Sequence, residues 1–243
     1  MAGSGAAAGR VVDEPVFVLH TYPYRETSLI VEGLARAHGR VAWVARGARR
    51  PGSALRGRLL PFQPLLAGWG GRGELHTLHR LEWLGGYAPL NGTALVCGMY
   101  LNELLLRLLR REDPHEGLYD AYATTLAELG RGRALAPALR VFERELLREI
   151  GYGLQLDRTA DTAAPIIARQ RYRYVIGRGA LERDATDEGI ELEGSTLLDL
   201  ASGQLDNPVS LQESRSLMRA ALAQQLGDQP LHTRELLRAL QAV

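Results

Sequence analysis

From Val16 to about Leu84 the apolar positions come in short, repeated runs: "VFVLH", "SLIVEGLA", "RVAWVAR", "RLLPFQPLL" and "GELHTLHRLEW". They are rich in Val, Leu and aromatic residues, which suit a pleated, half-buried surface. Between them stand "TYPYRET", "AHGR", "GARRPGSALRG" and "GWGGRG", whose Gly, Pro, Ser and Thr punctuate turns. Five short strands with turns between them predict a small barrel at the front of the chain.

After "GYAPLNG" the period lengthens. In "TALVCGMYLNELLLRLLRRED" the residues Leu95, Met99, Leu101, Leu105 and Leu108 fall at near-helical spacing, and Asp113-Pro114 ends the run. "HEGLYDAYATTLAELG" and "APALRVFERELLREIGYG" repeat the pattern, each closed by a glycine, Gly130 and Gly151. Beyond them lie a short ordered piece at "RYRYVIGRGAL" and an acidic stretch from Glu182 that reads as solvated. Helical periodicity returns in "SLQESRSLMRAALAQQLG", where Ser210 and Glu213 match a capping box, and in a last helix, "TRELLRALQ". The expected class is α+β. A disordered tail over 1–12 leads into a five-stranded barrel over 13–86, a helical domain over 87–156 and a small C-terminal region over 157–243. Five strands is the count of an OB-fold, whose strand face and loops often hold nucleic acids; an SH3-like barrel is the rival.

Composition removes several function classes. The one cysteine, Cys97, excludes an intramolecular disulfide framework and a thiolate-rich zinc site. All 29 basic residues are arginine, so there is no Schiff-base lysine and no Walker A lysine. Abundant Ala, Gly, Leu and Arg together point to a GC-rich coding sequence as the cause. There is no long apolar span, and "MAGSGAAAGR" lacks the features of a signal peptide; with the single cysteine, a reducing, cytoplasmic setting is expected.

Charge changes the picture more by its placement than by its total of +1. Gly33 to Gly73 carries eight arginines and no acid, whereas Glu182 to Asp206 carries eight acids and one arginine. Within the basic run, "VARGARRPGSALRGRLLPF" places Arg46, Arg49, Arg50, Arg56 and Arg58 between Trp43 and Phe62. Arginine forks suit phosphate, and aromatic rings stack on unpaired bases, so these residues are candidate DNA contacts, with Arg72 of "GWGGRG" as a further one. The segment's Gly, Pro and Ser are those of a mobile loop, and the plainer alternative is a solvated basic loop. The absence of acids over 41 residues argues against it.

A second basic surface lies on "PALRVFERELLREIGYG". Leu139, Phe142, Leu146 and Ile150 share one helical face, beside a ridge of Arg140, Arg144 and Arg148. An apolar face next to a basic ridge suits an acidic peptide with an apolar end. Ordinary core packing, with Glu143, Glu145 and Glu149 pairing the arginines, accounts for the same pattern.

Other motifs carry little chemistry. "GWGGRG" matches GxGxxG formally, but a strand-like run follows it where a dinucleotide fingerprint needs a helix. His76 and His79, three residues apart on a predicted strand, point to opposite faces and make a poor metal pair. No catalytic constellation stands out, and no cofactor or metal is expected.

Several segments in order carry a resemblance: "FVLHTYPYRETSLIVE", "GRVAWVARGARRPGSALRGRLLPFQPLL", "GGRGELHTLHRLE", "YLNELLLRLL", "PALRVFERELLREIGYG", "RYRY" and "PLHTRELLR". Across about Val16 to Leu240 the chain resembles the RecO family of bacterial recombination mediators. The resemblance implies an N-terminal OB-fold, a central helical domain and a smaller C-terminal region. It further implies binding of single- and double-stranded DNA and annealing of complementary strands. The implied partners are the acidic C-terminal tail of single-stranded DNA-binding protein (SSB) and RecR, with a functional link to loading of RecA. The arginines of "ARGARRPGSALRGR" match the family's basic OB segment, and Arg140 matches a basic position associated with the SSB tail; Arg144, Leu139 and Phe142 extend that site. The C-terminal region has no cysteine pairs, so the resemblance is to the zinc-free branch. A generic OB-fold RNA-binding or translation accessory protein is the rival from another class, and a nuclease would need clustered carboxylates that the basic segment lacks.

Overall fold

The structure, a computed structural model, describes residues 9–132, 135–182, 189–227 and 230–241, with the side chains of the last helix described as far as Leu236. It divides into two compact units, one ending at Arg131 and one beginning at Gly132. This division does not coincide with the expected boundaries at 86/87 and 156/157.

In the first unit, five strands close one barrel: β1 (Arg10–Tyr24), β2 (Ser28–Ala35), β3 (Gly39–Ala45), β4 (Leu65–Gly70) and β5 (Leu75–Trp83), in the order β1-β2-β3-β5-β4. Only the β3–β5 pair is parallel; the others are antiparallel, and β1 meets β4 to complete the closure. This is an OB-fold followed by helices and a small C-terminal region, as the periodicity predicts. Residues 10–12, expected in the tail, instead begin β1, because Arg10 and Val11 pair with Gly70 and Trp69. The fourth strand also moves, from "RLLPFQPLL" to Leu65–Gly70. Pro61 and Pro64 have no N–H to give a ladder, and the glycines of "GWG" let β4 run close to its neighbours.

The barrel interior is filled by Val16, Val18, Val31, Val41, Trp43 and Trp69, all within 2% of full burial. The two indoles lie 5.2 Å apart. Gly33 makes room for this pair, since a Cβ there would come within 2.2 Å of the Trp43 ring. A register shift between Val18 and His20 flips the alternation of β1, so that His20 and Tyr22 lie on the outer side opposite Glu32 and Ile30.

Two helices, α1 (Gly92–Leu108) and α2 (Glu116–Gly130), belong to the same unit. Phe17 points out of the barrel and meets Tyr119 and Tyr122, with ring centroids 5.2 and 5.1 Å away. A buried chain of hydrogen bonds fixes the contact: the Tyr122 hydroxyl donates to Asn102 Oδ1, and Asn102 Nδ2 donates to the Leu19 carbonyl at 2.8 Å. Burial pushes the Tyr122 hydroxyl far above its ordinary pKa, so it stays a donor. On α1 the face differs from the one expected. Leu101 and Leu105 are buried, but Leu95 and Met99 are exposed, and Val96, Cys97, Tyr100 and Leu104 take the inner side. Leu95 and Met99 sit nearly half a turn round the helix from that side.

The second unit holds α3 (Leu135–Glu149), a three-stranded sheet of β6 (Arg171–Val175), β7 (Gly179–Glu182) and β8 (Ile190–Glu193) in the order β7-β6-β8, and then α4 (Gly194–Ser202), α5 (Pro208–Leu226) and α6 (His232–Gln241). The acidic stretch expected to be solvated contains β8 and all of α4, with Leu192, Leu197 and Leu200 fully buried; residues 183–188 lie outside the described ones. Its acids are spent locally: Glu191 pairs with Arg173 at 3.0 Å, and Ser210 Oγ donates to Asp199 at 2.7 Å. The capping box at Ser210 and Glu213 does not form. Helix α5 starts two residues earlier, with Asn207 as its N-cap accepting from Val209 N, and Pro208 in the first turn. Glu213 accepts instead from Glu193 N and Thr196 Oγ1, tying α5 to the start of α4.

Candidate nucleic-acid interface

The basic run between β3 and β4 is a string of turns rather than a mobile loop. Arg50 N donates to Gly47 O, Ser53 N to Arg50 O, Arg56 N to Ser53 O and Arg58 N to Leu55 O, at 3.0–3.2 Å. Ala48 and Leu59 join the barrel core, and Phe62 is nearly buried. With the backbone pinned and these apolar residues pointing in, the arginines between them face outward.

Arg46, Arg49, Arg50, Arg56 and Arg58 are all exposed, and none makes an ion pair with a described residue. Their side-chain bonds go to carbonyls: Arg49 Nη1 to Arg25 O at 3.3 Å, and Arg58 Nη1 to Leu81 O at 3.2 Å. The rest of the acid-free run behaves differently. Arg36 is held by Asp120 and Glu116 at 3.0 and 2.7 Å, and Arg40 by Glu32 at 3.0 Å. Arg111 joins the buried Glu32 from the other side. A stretch with no acid in sequence is therefore partly neutralised by acids from outside it, and the charge left without an ion pair lies on the β3–β4 segment and at Arg72. Five exposed guanidinium groups with no ion pair to a described residue, of which Arg58 lies within electrostatic reach of a carboxylate, Glu82, give a local positive field that attracts phosphate.

Arg72 is exposed on the β4–β5 loop. The register places that loop at the β2–β3 turn end of the strands, since Leu75 pairs with Ala42, whereas the arginine segment leaves from the β1–β2 end, where Arg49 N donates to Thr27 O at 2.9 Å. The strands therefore separate Arg72 from the other five.

Trp43, proposed as a base contact, is corrected. It is fully buried against Trp69 and offers no face to a ligand. A Trp next to five arginines in sequence points the other way in space, because β3 alternates inward and outward. Four exposed or half-buried groups that sequence reasoning missed lie at the β1–β2 end instead. The Arg25 guanidinium sits 5.1 Å from the Tyr24 ring centre, and Tyr22 packs edge-on to His20 at 4.4 Å. The signal was the spacing of His20, Tyr22 and Tyr24 at every second residue, which marks one strand face; "TYPYRET" read as a turn hides it.

On α3 the arginines are spent within the unit. Arg140 pairs with the fully buried Glu143 at 2.7 Å, Arg144 with Glu145 at 2.6 Å and Arg148 with Glu145 at 2.7 Å. Arg144 Nη1 also donates to the carbonyls of Leu200 and Ala201, satisfying the C-terminal end of α4. Phe142, proposed as part of a peptide site, is corrected: it is fully buried, because it faces the core of its own unit. Leu139 and Arg140 remain half-buried. A concavity of about 310 Å³ in this unit is lined by Leu147, Tyr152, Tyr174 and Arg178 among others, and by none of Leu139, Arg140, Phe142 or Arg144. Among the described residues there is no cluster of His, Cys, Asp or Glu able to hold a metal ion, and no helix long and apolar enough to cross a membrane.

An OB-fold barrel that carries an uncompensated arginine segment and is followed by a helical region defines a class of OB-fold proteins with an appended helical part. The family model described as Recombination protein O N terminal matches residues 10–87, and that described as Recombination protein O C terminal matches residues 89–235. The chain is 52% identical over 233 residues to the DNA repair protein RecO of Aromatoleum aromaticum, covering 96% of this chain and 97% of that protein. It is 52% identical over 230 residues to the DNA repair protein RecO of Nitrosospira multiformis, covering 94% and 95%, and 47% identical over 238 residues to that of Laribacter hongkongensis, covering 97% of both. The chain belongs to the RecO family, and its role lies in DNA repair.

Proposed function

We propose that this chain is a non-catalytic recombination mediator: it binds single- and double-stranded DNA, anneals complementary strands, engages the C-terminal tail of SSB and, with RecR, promotes RecA loading, in the cytoplasm at the nucleoid. The observation that carries the DNA-binding part is the set of five exposed arginines, Arg46, Arg49, Arg50, Arg56 and Arg58, none of them ion-paired with a described residue. Arg72 is a separate, weaker contact at the other end of the strands. Annealing on such a surface needs no acid, base or nucleophile. Guanidinium groups screen the repulsion between two phosphate backbones, and base pairing supplies the free energy. Phosphate contacts carry no sequence information, so binding is indifferent to sequence.

For the SSB tail the proposed contacts are Arg140 and Leu139, half-buried on α3, with Arg140 exchanging its pair with Glu143 for the acids of the tail. An acidic tail would be steered by Arg140 while its apolar end packs on Leu139.

The test is annealing of two complementary oligonucleotides, one coated with SSB carrying its tail or lacking it, together with competition between matched DNA and RNA strands. Faster annealing that depends on the tail, and preference for DNA, are the expected results. Annealing no faster than the uncatalysed rate would overturn the mediator role, and preference for RNA would favour an OB-fold RNA-binding protein.

A further inference from the structure

Of the three tryptophans, Trp43 and Trp69 are buried in the barrel, at 0% and 2% exposure, while Trp83 at the end of β5 is 59% exposed. An indole that large rarely lies open without a partner. Its surroundings hold it in place rather than leaving it loose. Its Nε1 donates to Oε1 of the nearly buried Gln63 at 3.2 Å, its backbone pairs in register with Leu65, and the next residue, Leu84, donates its N–H to Pro64 O at 3.0 Å. The polar edge of the ring is thus satisfied by the protein, and what remains outward is apolar ring surface.

The charged groups around it limit what that surface receives. Arg58, at the end of the arginine segment, donates to Leu81 O at 3.2 Å, two residues before Trp83 on the same strand. The adjacent carboxylate, Glu82, alternates to the other side of the strand; it is bound by Arg80 at 2.8 Å and lies within electrostatic reach of Arg58, and the two guanidinium groups hold its carboxyl below the usual range, so it presents little free negative charge. A flat apolar surface at the edge of uncompensated arginines fits a ligand that carries negative charge and flat apolar faces together. Single-stranded DNA has both, whereas in a duplex the base faces are already covered by their neighbours.

We propose that Trp83 stacks on an unpaired base of single-stranded DNA whose phosphates lie along the arginine segment. This rests on the DNA-binding reading given above and sharpens it: the arginines serve both forms of DNA, and Trp83 serves only the single strand. Arg58, bound to the Leu81 carbonyl, and Trp83, two residues further along β5, fix the strand's path from phosphate to base.

The structure also supplies the probe, because the other two indoles are shielded. Titration of the full chain with a thymidine oligonucleotide should quench the emission of Trp83 and leave that of Trp43 and Trp69. Trp83→Ala should weaken binding of that oligonucleotide by about tenfold and leave binding of a duplex of equal length unchanged. Trp83→Phe should retain most of the affinity and lose the quenching. Circular dichroism melting confirms that each variant folds, which its surface position favours. Wild-type affinity in Trp83→Ala, with no quenching in wild type, would overturn the stacking role while leaving the arginine interface intact. Equal losses for single strand and duplex would overturn it too, and quenching by a protein partner but not by DNA would reassign the patch to protein docking. If wild type binds neither DNA form, the DNA-binding reading itself fails and stacking fails with it.

Discussion

Two arginine clusters look alike in sequence and end differently in the fold. Between β3 and β4, five arginines stand on a string of turns with no ion pair to a described residue, their outward side free for solvent or ligand. On α3, Arg140, Arg144 and Arg148 are each bound to a glutamate one or three residues along the helix, and Arg144 also holds the end of α4. The difference lies less in the arginines than in their neighbours. A helix brings residues three and four apart together, so "RVFERELLRE" neutralises itself; the turns of "RGARRPGSALRGR" have no acid to bring. Arg36 and Arg40 add a second condition, since they belong to the acid-free run and are nevertheless neutralised by Asp120 and Glu32 from other parts of the first unit. On the proposed reading, it is charge left without an ion pair, and not basic composition alone, that marks the DNA-binding surface.

The comparison breaks most visibly if the five barrel arginines are removed together. Replacing all of them with alanine should lower single-strand affinity by about three orders of magnitude near 0.1 M salt, if each phosphate contact releases about 0.7 counterions. Equilibrium unfolding of the same variant should change little, because exposed, unpaired side chains contribute little to stability. The converse holds for α3. Glu143→Ala leaves the Arg140 guanidinium, only 11% exposed, without that carboxylate, and should cost about 3 kcal/mol in urea unfolding with little change in DNA affinity of the folded protein. Arg144→Ala frees the Leu200 and Ala201 carbonyls at the end of α4 and should cost about 1–2 kcal/mol, read as a shift in thermal midpoint. The finest test is Arg36→Ala. Its ion pairs are exposed to solvent and add little to stability, and its charge is already answered, so DNA affinity should change by less than about twofold. A loss as large as that of a β3–β4 arginine would erase the distinction.

Much of this was legible in the sequence where one local rule decided the outcome. Strand-length apolar runs separated by Gly and Pro identified a five-stranded barrel, and the longer period identified α1 to α3. Errors arose where a partner distant in sequence decided. Residues 10–12 become a strand because β4 needs an edge partner to close the barrel, and Trp43 turns inward because Gly33 and Trp69 leave it a place. Asn207, not Ser210, caps α5, and Ser210 and Glu213 fasten that helix to α4. The arginine segment was visible as a gap in the acids, but which arginines stay unpaired depended on Asp120 and Glu32. The alternation of His20, Tyr22 and Tyr24 marks one strand face, but which face is outward depends on a register shift in β1, and the exposure of Trp83 depends on the end of β5; neither of these has a local signature.

The central claim is that uncompensated charge in the β3–β4 segment, and not total basicity, binds the DNA backbone. Its most direct test is the salt dependence of single-strand affinity in wild type and in the five-alanine variant. In wild type the logarithm of the binding constant should fall steeply and linearly with the logarithm of salt concentration, and the variant's slope should be shallower by about 3.5, the value for five lost contacts. Parallel lines for the two proteins would contradict the account, for the phosphate contacts would then lie elsewhere.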